Sequence, residues 1–284
     1  MTRFYGRLWE VLLDGETYIA PTSGRQFRVV FNILVDLGGS ITYADIAIYN
    51  LNQSTALKVL RRGVEIGFRG GYDGLIDYLF SGRITNVLRE RNGSDTIVRI
   101  LAKGGSQPKQ QIVNVALGKN ARVTDIIKSC ATATGYSLVL NENDFAQVDP
   151  YPRGYTCTGD PFVQLDSLGK RHNFQYTIEN DRLIVVGDGS FREGDPIVVN
   201  ELNGMEGIPE ITENGVDVSL RLMPKLKIGG RVDIRSELAT FNFGNMYFQD
   251  VPENAGSGIY NIYRLVHAGD SYGESWTTRV TGYR

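Results

Sequence analysis

The sequence predicts a mainly β protein of the α+β kind, in which two barrel-like β domains flank a small α/β domain. Three observations carry that expectation. Apolar and polar residues alternate with period two through the first and last thirds of the chain. Two stretches of the middle third instead repeat apolar residues at helical spacing, and each is closed by a turn signal and followed by a strand pattern. Between the first and middle thirds, the polar run Lys103-Gly-Gly-Ser-Gln-Pro-Lys-Gln-Gln111 has the character of a linker. The 284 residues thus divide into expected domains at 1–105, 106–190 and 191–284. Units of this size bury proportionally less surface than one large core, so association with partners is expected to make up the difference.

In chain order, Phe27-Arg-Val-Val-Phe-Asn-Ile-Leu-Val35 and Ile46-Ala-Ile-Tyr49 read as strands. A helix is expected at Asn52–Arg62: cap formers open it, two arginines occupy its last turn, and Gly63 stands where it should end. Its Ala56, Leu57, Val59 and Leu60 could lie on the sheet. Leu75–Leu88 and Thr96–Ala102 form a long hairpin turning at Asn92-Gly93. In the middle third, Ile126, Ile127, Cys130 and Ala131 share a face of a helix over Val123–Thr134, which Gly135 stops before a strand at Tyr136–Leu140. Asp160-Pro161 opens a second helix, with a capping carboxylate followed by proline at the first helical position, and Phe162, Leu165 and Leu168 form its apolar face. Phe174–Ile178 and Leu183–Val186 flank the turn Glu179-Asn-Asp-Arg182. Strands follow at Gly215–Leu222 and Arg231–Arg235, then a terminal hairpin in which Ile259 to Val266 and Trp276 to Val280 alternate.

That last hairpin contains Gly269-Asp-Ser-Tyr-Gly273, a match to the G-x-S-x-G nucleophile elbow. The elbow needs a helix after it and a later acid and histidine. Only eleven residues follow Gly273 and none is histidine, so the match reads as a turn. His172 and His267 are the only histidines and Cys130 and Cys157 the only cysteines, at spacings that fit no metal motif. Both cysteines read as thiols, and Cys130 as a small core residue. Gly70-Gly71 and Gly104-Gly105 lack the G-K-[ST] of a phosphate loop, and Asn141-Glu-Asn-Asp144 lacks calcium-loop spacing. No cofactor or metal is expected. A net charge of −2 gives no broad attraction to nucleic acid. No run approaches ~18 apolar residues, and the first residues lack an apolar signal core, so neither a membrane span nor a signal peptide is expected.

Several phrases together resemble the baseplate hub proteins of contractile-tailed bacteriophages and, more distantly, the hub portion of type VI secretion spike proteins. They are Asp45-Ile-Ala-Ile-Tyr-Asn-Leu51, Gly70-Gly-Tyr72 ahead of Leu79-Phe-Ser-Gly-Arg-Ile84 and Asp95, Glu213 to Pro224 with Leu226, Ile228 and Gly229, and His267-Ala-Gly-Asp270 with Trp276-Thr-Thr278. The resemblance implies two tail-tube-like β-barrel domains, at 1–105 and 191–284, flanking the small α/β domain. It also implies a structural protein without catalytic residues. Three subunits would form a homotrimeric ring of six barrels, assembled in the host cytoplasm and carried in the virion, which seats a sixfold tail tube on one side and a threefold central spike on the other. A tape-measure protein is a further possible partner. Two other readings stay open: a monomeric β-rich protein that binds carbohydrate at a cell surface, and a spike-associated hydrolase, since 32 acidic residues allow many carboxylate pairs.

The candidate interface lies on the long hairpin. Arg83, Thr85, Arg89 and Arg91 share one parity, with Ile84 and Leu88 on the other, so one face could be buried while the other offers cations to a neighbouring subunit or the tube. Tyr72, an aromatic beside a turn, is a second candidate anchor, as is Trp276, with core packing the plainer account of both.

Overall fold

A computed structural model describes residues 4–21, 27–38, 42–53, 56–57, 63–105, 112–212, 215–241 and 257–283. Strands account for 56% and helical residues for 13% of the described residues, so the mainly β expectation holds. The first third carries β1 (Arg7–Leu13), β2 (Glu16–Ile19), β3 (Val29–Asp36), β4 (Tyr43–Tyr49), β5 (Glu65–Tyr72), β6 (Leu75–Asn92) and β7 (Asp95–Gly104). The last third carries β13 (Ile197–Val199), β14 (Met205–Thr212), β15 (Gly215–Arg221), β16 (Arg231–Ile234), β17 (Thr240–Phe241), β18 (Gly258–Asp270) and β19 (Trp276–Tyr283). All of these join one 14-stranded sheet, seven strands from each end of the chain.

The seam is β18 against β3, antiparallel from Arg264↔Asp36 to Asp270↔Val30. Arg264 adds an ion pair to Asp36 at 2.6 Å across it. Among the described residues, the main ladder runs as an open path from β17 to β2, with no closed barrel. One apolar core spans both thirds, from Trp9, Phe31 and Phe68 to Leu220, Tyr260 and Trp276. The alternating strands send one parity into it, as in β3, where Val29, Phe31, Ile33 and Val35 are buried and Asn32 and Leu34 exposed.

Of the helix expected at Asn52–Arg62, Gln53, Ala56 and Leu57 are described as helical, and the Ala56 N–H donates to the Asn52 carbonyl at 2.9 Å. Ala56 is buried but Leu57 is exposed, so the expected face is narrower than the sequence suggested; Val59 and Leu60 lie outside the described residues. Most of the expected linker, 106–111, lies outside them too, as do Glu213 and Asn214.

In the middle third both expected helices form. Helix α1 (Val123–Thr134) buries Ile126, Ile127, Cys130 and Ala131 and ends at Gly135, whose φ of 78° places it in the left-handed region. Helix α2 (Pro161–His172) begins at Asp160, whose carboxylate accepts from the Phe162 N–H at 2.7 Å. The helices pack on a two-stranded ladder of β8 (Val113–Leu117) and β10 (Tyr155–Gly159), and on a three-stranded sheet ordered β11 (Phe174–Glu179), β12 (Arg182–Gly187), β9 (Ser137–Leu140). A short 3₁₀ turn, Glu142–Phe145, lies between β9 and β10.

Strand β12 explains how this unit sits on the rest. Leu183 and Val185 face the helices, while the alternate Ile184 and Val186 belong to the large shared core. A strand buried on both faces reads as the unbroken apolar run Leu-Ile-Val-Val. Burying Ile184 and Val186 contributes roughly 1.5–3 kcal/mol each to holding the unit in place. The Thr42 hydroxyl donating to the Ile178 carbonyl at 2.8 Å, and the largely buried pair Arg192–Glu179 at 3.1 Å, fix its orientation.

Candidate functional site

The long hairpin β6–β7 is built as expected around its turn, with Asn92 opposite Asp95 and Gly93 at φ 60°. Asn50 anchors the tip: its backbone N–H donates to the Thr96 carbonyl at 2.7 Å, its side-chain amide donates to Asp95 at 3.0 Å, and its side-chain oxygen accepts from the Thr96 N–H at 3.0 Å.

The parity of the hairpin differs from the sequence reading because β6 carries two bulges. Leu79 is inserted between the pairs Phe68↔Phe80 and Arg69↔Tyr78, and Thr85 between Ile84↔Ala102 and Asn86↔Leu101. Each extra residue shifts the following side chains to the other face. Ile84 is buried as expected. Beyond Thr85 the register has changed, and Leu88 is 38% exposed rather than buried. The hydroxyl of Thr85 donates to the Leu101 carbonyl at 3.0 Å and holds the bulge closed.

The four candidate residues therefore do not form one surface. Arg89 and Arg91 are exposed near the tip with Glu90 between them. Arg83 is half-buried in mid-sheet, opposite Glu65 on β5 and Lys103 on β7. Tyr72 is only 5% exposed. Its ring meets Phe4 edge-on with centroids 5.4 Å apart, and burial pushes its phenol pKa up. Trp276 is likewise core. It stands edge-on to Phe31 at 5.1 Å and donates its indole N–H to the Gly71 carbonyl at 3.1 Å. Gly71 has no room for a side chain, because a Cβ there would lie 2.0 Å from the Leu75 carbonyl oxygen.

The elbow-like phrase is a turn between β18 and β19. The Ser271 hydroxyl accepts from the Val29 N–H at 2.9 Å, and the Ser271 N–H donates to the Val29 carbonyl at 2.9 Å. Asp270 binds Arg28 at 2.6 Å, and Arg28 together with the turn amides holds its carboxyl below the usual carboxylate range. Arg7 donates to the carbonyls of Asp270, Gly273 and Glu274. Gly269 is glycine because Phe31 and Trp276 fill the space beside it. Both histidines are engaged elsewhere: His267 Nδ1 lies 2.8 Å from the Thr278 hydroxyl, and His172 Nε2 lies 2.8 Å from that of Tyr151.

Sequence reasoning did not find Asn50, Arg7 or Arg28 as organisers. Their partners lie 45 or more positions away, and no local pattern reports such pairing. No group of metal-ligating side chains occurs among the described residues, and none of their helices is long and apolar enough to cross a membrane.

The arrangement of seven strands at each end of one sheet with a helix-bearing unit between them is similar to that of solved phage tail proteins. A prophage MuSo2 43 kDa tail protein from Shewanella oneidensis superposes with a TM-score of 0.61 at 9% identity, covering 99% of this chain and 98% of that one. A tail protein from Neisseria meningitidis MC58 gives 0.60 at 12%, covering 99% and 97%. The Escherichia coli c3393 protein, a component of the type VI secretion system described as structurally similar to the T4 tail proteins gp27 and gp5, gives 0.58 at 11%, covering 96% and 76%. A search of curated protein sequences finds no match. Residues 43–245 match the family described as baseplate hub gp41, and the chain belongs to that family. It is a structural component of a phage tail baseplate.

Proposed function

We propose that three copies of this chain form a ring that adapts a sixfold tail tube to a threefold central spike. Each subunit would supply two tube-like β domains, 1–105 and 191–284, with 106–190 as the unit between them. The observation that carries this reading is the contribution of seven strands from each end of the chain to one sheet. Two such lobes in each of three subunits give six positions, matching a sixfold tube while keeping threefold symmetry. Among the described residues the ladder ends at β2 and β17, and neighbouring subunits could extend it there.

Arg89 and Arg91, at the pinned hairpin tip, would contact the tube protein or the next subunit, and Arg83 and Tyr72 would hold the hairpin base in place. Native mass measurement of the purified protein, alone and with its tube protein, tests the reading. A species of three chain masses that also binds the tube supports it, and a monomer at micromolar concentration that ignores the tube refutes it. Reversing both charges, Arg89→Glu with Arg91→Glu, should abolish tube binding while leaving the melting temperature unchanged. A doubly reversed protein that assembles normally would remove the hairpin from the interface.

A further inference from the structure

We propose that Cys130 and Cys157 close into an intramolecular disulfide in an oxidising medium, a buried covalent latch on the helix-bearing unit. Cys130 lies on the inward face of α1 and Cys157 on β10; both are fully buried, with their sulfurs 3.8 Å apart. They are the chain's only cysteines, so neither has a competing partner within the subunit. The segment between them is where the unit is least regular. Residues 141–154 hold one 3₁₀ turn and a single bridge, Ala121↔Tyr151. A bond across that loop removes conformations from the unfolded chain, which is how a disulfide stabilises.

The chemistry balances with a low-molecular-weight disulfide as oxidant. One cysteine, as thiolate, attacks that reagent, forms a mixed disulfide and releases one small thiol. The second cysteine then displaces the other half. Two protons and two electrons pass from the protein to the reagent, which leaves as two thiols. Burial pushes both thiols above their ordinary pKa, so thiolate is scarce in the folded unit and the bond forms slowly there. It forms faster when the chain folds in the oxidising medium, and the same burial protects the finished bond. On the hub reading, a virion that leaves its host meets such a medium; the bond chemistry itself does not depend on that reading.

The test uses the full chain, reduced and then exposed to oxidised glutathione, both in native buffer and during refolding from denaturant. Intact mass and alkylatable thiols in denaturant are the readouts. The expected product has lost the mass of two hydrogens, has no free thiol, and melts roughly 5–10 °C higher until dithiothreitol is added. The Cys157→Ala variant should show no such shift. Two free thiols after refolding, or glutathione retained on both cysteines, would overturn the proposal. The thiol count on the unaltered chain decides the matter even if the variant does not fold.

Discussion

The Asp270 carboxylate accepts from Arg28 at 2.6 and 3.1 Å and from the Tyr272 N–H at 3.0 Å, so its ionised form is part of the folded turn. Its pKa is lowered in the fold, and its contribution is present above the ordinary aspartate range and lost as pH falls through the lowered value. Asp270→Asn should cost about 1–2 kcal/mol near neutral pH and nothing in strong acid; equal losses at both pH values would contradict this account. His267 has the opposite proton preference to an exposed histidine. Complete burial, helped by the charge of Lys227, lowers its pKa to about 3. The unfolded chain therefore binds a proton below about pH 6.5 that the fold excludes until about pH 3. Over that window stability should rise with pH by about 1.4 kcal/mol per unit from this residue alone. Chemical denaturation of His267→Asn across pH 4–7 should show that component missing, and parallel pH profiles would refute it. Neither role was legible in sequence. Ser271 drew notice through its motif, while its hydroxyl only ties the turn to Val29.

Helix α1 was legible to the residue and α2 at its start, because their signals are local: apolar spacing, an Asp160 cap, and a glycine that can take positive φ at the end of α1; the end of α2 at Asn173 was not read. Gly135→Ala should accordingly cost about 1 kcal/mol of stability, since alanine resists a φ of 78°; a neutral substitution would show that the cap does not need glycine. The long hairpin was legible in its turn but not in its faces. Alternation predicts sides only while the ladder is unbroken, and the bulges at Leu79 and Thr85 leave no mark in residue type. The tip depends on an anchor outside the hairpin. Asn50→Ala should destabilise by about 1–2 kcal/mol and raise amide exchange at Thr96, whose N–H donates to the Asn50 side chain. Unchanged exchange there would mean the tip stands without it.

At the scale of the molecule, the first and last thirds are one body, joined by the β18–β3 ladder and a shared core. Trp276→Ala should cost about 3–5 kcal/mol and loosen both thirds together, because the indole packs on Phe31 and bonds Gly71. Exchange measurements showing only the terminal hairpin affected would separate the two lobes. The amino-acid pattern alone determined the mainly β class, the helix-bearing middle, the turns and the family resemblance, since each rests on spacings within a few residues or on phrases read in order. Tertiary structure decided the rest: that the two ends share one open sheet, that β12 is buried on both faces, that Tyr72 and Trp276 are core, and that Arg89 and Arg91 part from Arg83. The shared sheet depends on strands that pair across more than two hundred positions and the parting of the arginines on a bulge in the β6–β7 ladder, and both are set by packing that no local window contains.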